Sequence, residues 1–346
     1  MLEKGLIQVY TGNSEQVHFV PMGLSLRAAG HKLRTHMTYF LPPELKEGAN
    51  MASALLKPYL VIEHAEVGKR PQDGKWNMTE IDQVNQSFQR TKNALLSGKF
   101  DIVVLNGMNQ LLDQDIIALD DIVGLINQKP DHVELVFTGP GAGEDLIERA
   151  DLVTEMVCNV RDERSDKDYK HGDSMTPSEV VTGNGKGKTT YCLGKAMLIS
   201  CLGVRSTILQ FIKSPKAYGE VKAMEKLSLM DIKTMGKGFL DMNSAASSKK
   251  HMEAAKRAWE ECLREIFSLK YGVIVLDEIN IATYYGLINP ERVREVMFLK
   301  PEKLHLLLGG RNAHLEVREE ATSVIEMREI KHPYRKGMKA RKGIEF

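Results

Sequence analysis

One stretch of this chain has the composition of a phosphate cradle. In Val180-Val-Thr-Gly183-Asn184-Gly185-Lys186-Gly187-Lys188-Thr189-Thr190, glycines let the backbone curl so that successive N–H groups point at phosphate oxygens. The positive end of a following helix would add to that field. Lys188 can reach the phosphates and the Thr189 hydroxyl can hold a magnesium ion. Thr182 stands where the usual loop has its first glycine. Taken alone the run could be a glycine-rich turn, but strand, loop, Lys-Thr and helix occur in the order that phosphate binding requires. Farther on, the apolar run Val273-Ile-Val-Leu276 ends in Asp277-Glu278. A carboxylate at such a strand end can bind magnesium directly or through its water.

The elements that must position these groups occur twice. Thr11-Gly12-Asn13 recurs as Thr182-Gly183-Asn184, and Phe100-Asp-Ile-Val-Val-Leu-Asn-Gly-Met-Asn109 as Tyr271-Gly-Val-Ile-Val-Leu-Asp-Glu-Ile-Asn280, both offset by 171 residues, as from Gly12 to Gly183. The same offset pairs Gly23 with Gly194, Arg34 with Arg205, Phe40 with Phe211, Gly139 with Gly310 and Glu155-Met156 with Glu326-Met327. Chance matches would scatter the offsets; one constant offset marks a duplication. The polar, charged stretch 161–177 reads as a linker between a first copy, 1–160, and a second, 178–346.

In the second copy a helix is expected over Tyr191–Ser200, a strand over Thr207–Ile212, a helix with one apolar face from His251 to Phe267, and buried strands at Tyr271–Leu276 and Leu304–Leu308. Alternating strands and helices predict an α/β fold, a mainly parallel sheet flanked by helices, in two tandem copies.

The first copy has lost the phosphate chemistry. Its loop reads Thr11-Gly-Asn-Ser-Glu-Gln-Val-His-Phe19, so Val17 replaces the lysine, Glu15 adds a like charge, and Asn106-Gly107 replaces the acidic pair. A triphosphate held against Glu15 without lysine or magnesium would be strongly disfavoured, so this copy is expected to bind no Mg·ATP in the P-loop manner.

Bulk properties narrow the rest. With 346 residues and 42% hydrophobic content the chain can fill two compact domains. Its 47 basic and 46 acidic residues nearly cancel, which suggests no nucleic-acid or anionic membrane partner. Cys158, Cys192, Cys201 and Cys262 form no C-x-x-C pair and are expected to be free thiols in a reducing compartment. Neither a signal peptide nor a membrane span is apparent, and a cytoplasmic location is expected.

Several motifs in order, Thr182-Gly-Asn-Gly-Lys-Gly-Lys-Thr-Thr190, Gln210-Phe-Ile-Lys213, Gly219-Glu220, Val275-Leu-Asp-Glu-Ile-Asn280, Tyr285-Gly-Leu287, Gly310-Arg-Asn-Ala313 and the tail Lys331-His-Pro333 to Lys342-Gly-Ile-Glu345, resemble the P-loop-type corrinoid adenosyltransferases. The likeness covers about residues 178–346. The first copy is similar more weakly, through Thr11-Gly-Asn13, Gly23-Leu-Ser-Leu-Arg-Ala-Ala-Gly30 and Ala150-Asp-Leu-Val-Thr-Glu-Met156. The resemblance implies a P-loop NTPase-like fold and a reaction in which Co(I) of a corrinoid, cobalamin or a precursor, attacks C5′ of ATP and triphosphate leaves. A flavoprotein-type reductant would supply Co(I).

On this resemblance Lys188, Thr189 and Glu278 would carry the chemistry. Gly183, Asn184, Gly185, Lys186, Gly187, Lys188, Thr189 and Thr190 would hold the nucleotide, with Asn184 orienting it. Thr189, Asp277 and Glu278 would bind Mg²⁺ or Mn²⁺. Gly238-Phe239-Leu240-Asp241 stands where the family has a Gly-Phe-Thr-Trp-like segment under the corrin, so Phe239 is kept and an acid replaces the second aromatic; Phe239 as a core residue is an equal alternative. Arg311 would contact nucleotide or corrinoid, or be a solvated loop arginine. The basic tail would close over the site or lie in solvent. Because the family works as a homodimer, the tandem copy could supply that interface within one chain as an intramolecular pseudo-dimer, or the chain could itself form a homodimer. Another P-loop kinase or ATPase, and a non-catalytic ATP or corrinoid sensor, are the competing readings.

Overall fold

The computed structural model describes residues 2–68, 76–160, 177–212, 218–236, 238 and 245–346. The linker stretch 161–176, Phe239 and Asp241 lie outside them. Among the described residues the first half contributes strands β1 Ile7–Gly12, β2 Thr35–Tyr39, β3 Leu60–His64, β4 Ile102–Asn106, β5 Glu134–Thr138 and β6 Leu152–Val160. The second contributes β7 Ser178–Thr182, β8 Ser206–Gln210, β9 Met230–Thr234, β10 Val273–Asp277, β11 His305–Gly309 and β12 Ser323–Lys331. β4, β5, β8, β10 and β11 are buried at every position. That follows from helices covering both faces, and it is why these segments read as continuous apolar runs.

All twelve strands form one sheet, ordered β3-β2-β4-β5-β1-β6-β12-β7-β11-β10-β8-β9. Each half repeats the same order and is parallel throughout, as expected. The halves meet edge to edge where β6 runs antiparallel to β12, with Met156 opposite Met327, Glu155 opposite Arg328 and Val157 opposite Glu326. Met327 is the 171-offset counterpart of Met156, so a pseudo-twofold axis passes through this pair. Side-chain bonds repeat with the same offset. Asn109 Nδ2 donates to the carbonyls of Tyr10 and Gly139, and Asn280 Nδ2 to those of Val181 and Gly310.

Two helices, Phe19–Gly30 and Lys188–Cys201, pack against each other over the join. A Cβ on Gly23 would lie 1.9 Å from the Thr190 carbonyl oxygen, and one on Gly194 would lie 2.0 Å from that of Phe19. These reciprocal glycines let the two backbones touch. The core on this side therefore runs through both halves, joining Phe19, Leu26 and Met37 to Tyr191, Met197 and Ile208. The opposite face carries one core per half, around Phe88, Leu105 and Phe137 in the first and Trp259, Ile274 and Leu308 in the second.

The two repeats thus share one sheet and, on one face, one core. Element positions agree within a few residues. The helix expected from Tyr191 begins earlier, at Lys188, because Gly187 takes φ +114° and turns the chain into the first helical residue.

A side chain at Gly194 is expected to force the helix pair apart. Gly194→Val should cost about 1–3 kcal/mol, read as a lower midpoint of thermal unfolding. Gly124→Ala, with nothing within 4 Å of the new methyl, should leave the midpoint unchanged or raise it.

Candidate nucleotide site

The loop after β7 and the loops after β10 and β11 enclose a cavity of about 430 Å³. Its wall brings together Gly185, Lys186, Gly187, Lys188, Thr189, Thr190, Glu278 and Arg311. Lys188 Nζ donates to the Gly185 carbonyl at 2.6 Å. Burial lowers the Lys188 pKa to about 8, with Arg311 pushing the same way and Glu278 and Asp277 opposing. Thr189 Oγ1 donates to Asp277 Oδ1 at 3.0 Å, and Gln210 Nε2 donates to Asp277 Oδ2 at 3.0 Å. Asp277 is buried behind the threonine, while Glu278 faces the cavity. Thr182, the residue in place of the first glycine, accepts a bond on Oγ1 from the Ala313 N–H at 3.1 Å and so ties the loop after β11 to the end of β7.

Glu278 has φ +67°, a left-handed conformation that costs a non-glycine residue roughly 1–2 kcal/mol. Its first-half counterpart, Gly107, holds φ +87° without that strain. Its place in the cavity wall, together with that strain, makes Glu278 a candidate functional side chain.

The C-terminal tail does close over the site. Lys186 Nζ pairs with Glu345 at 2.5 Å, and His332, Ile344 and Glu345 line the cavity. Burial works to raise the Glu345 carboxyl, but Lys186 and Arg341 outweigh it and hold it below its ordinary range. Arg341 in turn makes a two-pronged contact with buried Glu134 of the first half, at 2.7 and 2.9 Å.

Other expected positions fall elsewhere. Gly183 and Asn184 lie beside the cavity rather than in its wall, and Asn184 is exposed. Sequence reasoning missed Gln8, Tyr10, Leu24 and Arg27 of the first half, which complete the wall. The available signal was Arg27 itself: it lies in the first copy's family-like segment, yet the offset places Leu198 opposite it in the second.

The first half's own loop is arranged differently. Val17 and His18 are buried in a short 3-10 turn, Glu15–His18, and burial drives the imidazole down to about 4, so it is neutral. Tyr191 of the second half reaches over and donates from its hydroxyl to Gln16 Oε1 at 2.7 Å.

Comparison with known proteins matches the family described as ATP:corrinoid adenosyltransferase BtuR/CobO/CobP over residues 3–171 and again over 177–346. The chain belongs to that family of transferases, in tandem. A Sinorhizobium corrinoid adenosyltransferase is 38% identical over 48% of this chain and 78% of its own length. One from Pseudomonas aeruginosa is 30% identical over 56% of this chain and 90% of its own. An uncharacterized Nostoc protein is 28% identical over 99% of this chain and 95% of its own, so it too spans both repeats.

Glu278→Gly is expected to leave stability unchanged or raise it by up to about 1 kcal/mol, while abolishing turnover; paired melting and activity measurements check both. If the cavity binds the phosphates of ATP through the Lys188 ammonium, whose pKa burial lowers to about 8, ATP affinity should fall about tenfold between pH 7 and pH 9. Calorimetric titration should show that decline vanish in Lys188→Arg.

Proposed function

We propose that this chain transfers the 5′-deoxyadenosyl group of ATP to Co(I) of a corrinoid and releases inorganic triphosphate, in cobalamin biosynthesis or salvage. The observation that carries the reading is the cavity itself, a glycine cradle with Lys186, Lys188 and Arg311 around one space, in a chain whose two halves both match the family. Displacement at C5′ by a strong nucleophile needs no general base. It needs the charge on the leaving triphosphate neutralised and the ribose carbon held in line. Lys188 and the loop N–H groups would bind the triphosphate, and Arg311 and Lys186 would add charge.

Magnesium fits the donor set, which is all oxygen. Among the described residues no three or more His, Cys, Asp and Glu gather into a metal site. Thr189, Asp277 and Glu278 would hold the ion, which would lower the charge that the lysines must meet. Thr189 is already oriented by Asp277, and Asp277 by Gln210.

The corrinoid would enter over the open side of the cavity. The Gly238 N–H, bonded to the Ile212 carbonyl at 2.8 Å, fixes the start of the segment carrying Phe239 near the end of β8. Cytoplasmic location and a flavoprotein-type reductant belong to the same proposal. The four cysteines are free thiols, and among the described residues no helix is long and apolar enough to cross a membrane.

Chemically reduced cobalamin with Mg·ATP, followed by absorbance, should give a light-sensitive Co–C product and one triphosphate per turnover. Lys188→Ala should lower the rate about a hundredfold or more. Release of orthophosphate without a Co–C product would select a kinase or ATPase and overturn the proposal.

A further inference from the structure

Four first-half residues face the second half's phosphate loop. Gln8, Tyr10, Leu24 and Arg27 share a cavity wall with Gly185 to Thr190. Tyr10 lies against the loop, since a Cβ on Gly187 would come within 3.3 Å of its Cε1. Arg27 is 6% exposed and donates from Nε to Glu220 at 3.0 Å and from Nη1 to the Ile344 carbonyl at 3.0 Å, both partners belonging to the second half. Those bonds use two of a guanidinium's five N–H groups.

The offset of 171 turns Gln8, Tyr10, Leu24 and Arg27 into Glu179, Val181, Lys195 and Leu198. Two of these, Glu179 and Lys195, stand near the first half's loop through Tyr191. Lys195 pairs with Glu179 at 2.6 Å, and the Tyr191 hydroxyl reaches both Gln16 and Glu179. The second half's loop keeps Lys188 and shares its cavity with Arg27, whereas the first half's loop has Val17 and the offset gives Leu198 where Arg27 stands.

Arginine also suits the place electrostatically. A guanidinium stays charged and can grip phosphate oxygens with paired donors.

We infer that the first half is retained as one wall of the second half's nucleotide site, with Arg27 a triphosphate-binding residue supplied across the join, so that the chain holds a single composite site. This rests on reading the cavity as a nucleotide site.

The test uses the full chain. Arg27 removal takes an ion-pair partner from buried Glu220, so Arg27→Met is made alone and together with Glu220→Gln, with melting curves confirming the fold. Each is titrated calorimetrically with inorganic tripolyphosphate, Mg·ATP and adenosine. Tripolyphosphate and Mg·ATP should bind tenfold or more weakly in both, roughly the worth of one charged contact, while adenosine is unaffected and Arg27→Lys recovers part of the loss. If the folded double variant binds tripolyphosphate within twofold of the parent while Lys188→Ala does not bind it, the inference fails and the nucleotide site stands. If Lys188→Ala also binds normally, the nucleotide-site reading fails and this inference with it.

Discussion

Met156 lies opposite Met327, and the antiparallel register set there fixes where everything else stands. Because each methionine faces its own counterpart, the pairing is self-complementary, and the two halves share one sheet rather than a hinge. The same axis brings Gly23 against Thr190 and Gly194 against Phe19. The phosphate loop sits at the start of one of those two helices, so the backbone contact that joins the halves also seats the loop against Tyr10 and Val20. Shift the register and the cavity loses a wall.

The symmetry is kept in the backbone and given up in the charges. Thr11 and Thr182 hold the N–H of Ala142 and Ala313 in the same way, and Lys129 and Lys300 cap the carbonyls of Val133 and Leu304 alike. Around the two loops the residues diverge: Val17 against Lys188, His18 against Thr189, Asn106 against Asp277, Gly107 against Glu278. In each case the second half holds the group suited to phosphate or metal. At Glu278 it does so in a conformation that glycine would adopt more easily.

Much of this was legible from the sequence, for identifiable reasons. The loop from Gly183 to Thr190 announces itself because glycines, lysine and threonine are adjacent in the chain, and Asp277-Glu278 because a carboxylate at a strand end is a local pattern. The duplication is visible as an offset. The join was not visible, because nothing local to β6 or β12 says which edge it seeks, and nothing in the sequence sets Glu155 opposite Arg328. Arg27 was hidden for the same reason: on its own helix it is one more arginine, and its meaning comes from Glu220, 193 residues away. The tail carried only the suggestion of a lid, which Lys186 and Glu345 turn into a contact. Phe239 and its neighbour Asp241 lie outside the described residues, and the corrinoid side rests on family membership.

A crystal structure of the full chain grown with Mg·ATP bears most directly on the central assignment. It should show one nucleotide per chain, its triphosphate wrapped by Gly185 to Thr190 with the Arg27 guanidinium on the far side, C5′ turned to the open face, and the loop from Asn13 to His18 still capped by Tyr191. A nucleotide seated on the first half's loop, or one whose terminal phosphorus points out of the cavity while C5′ is buried, would contradict it.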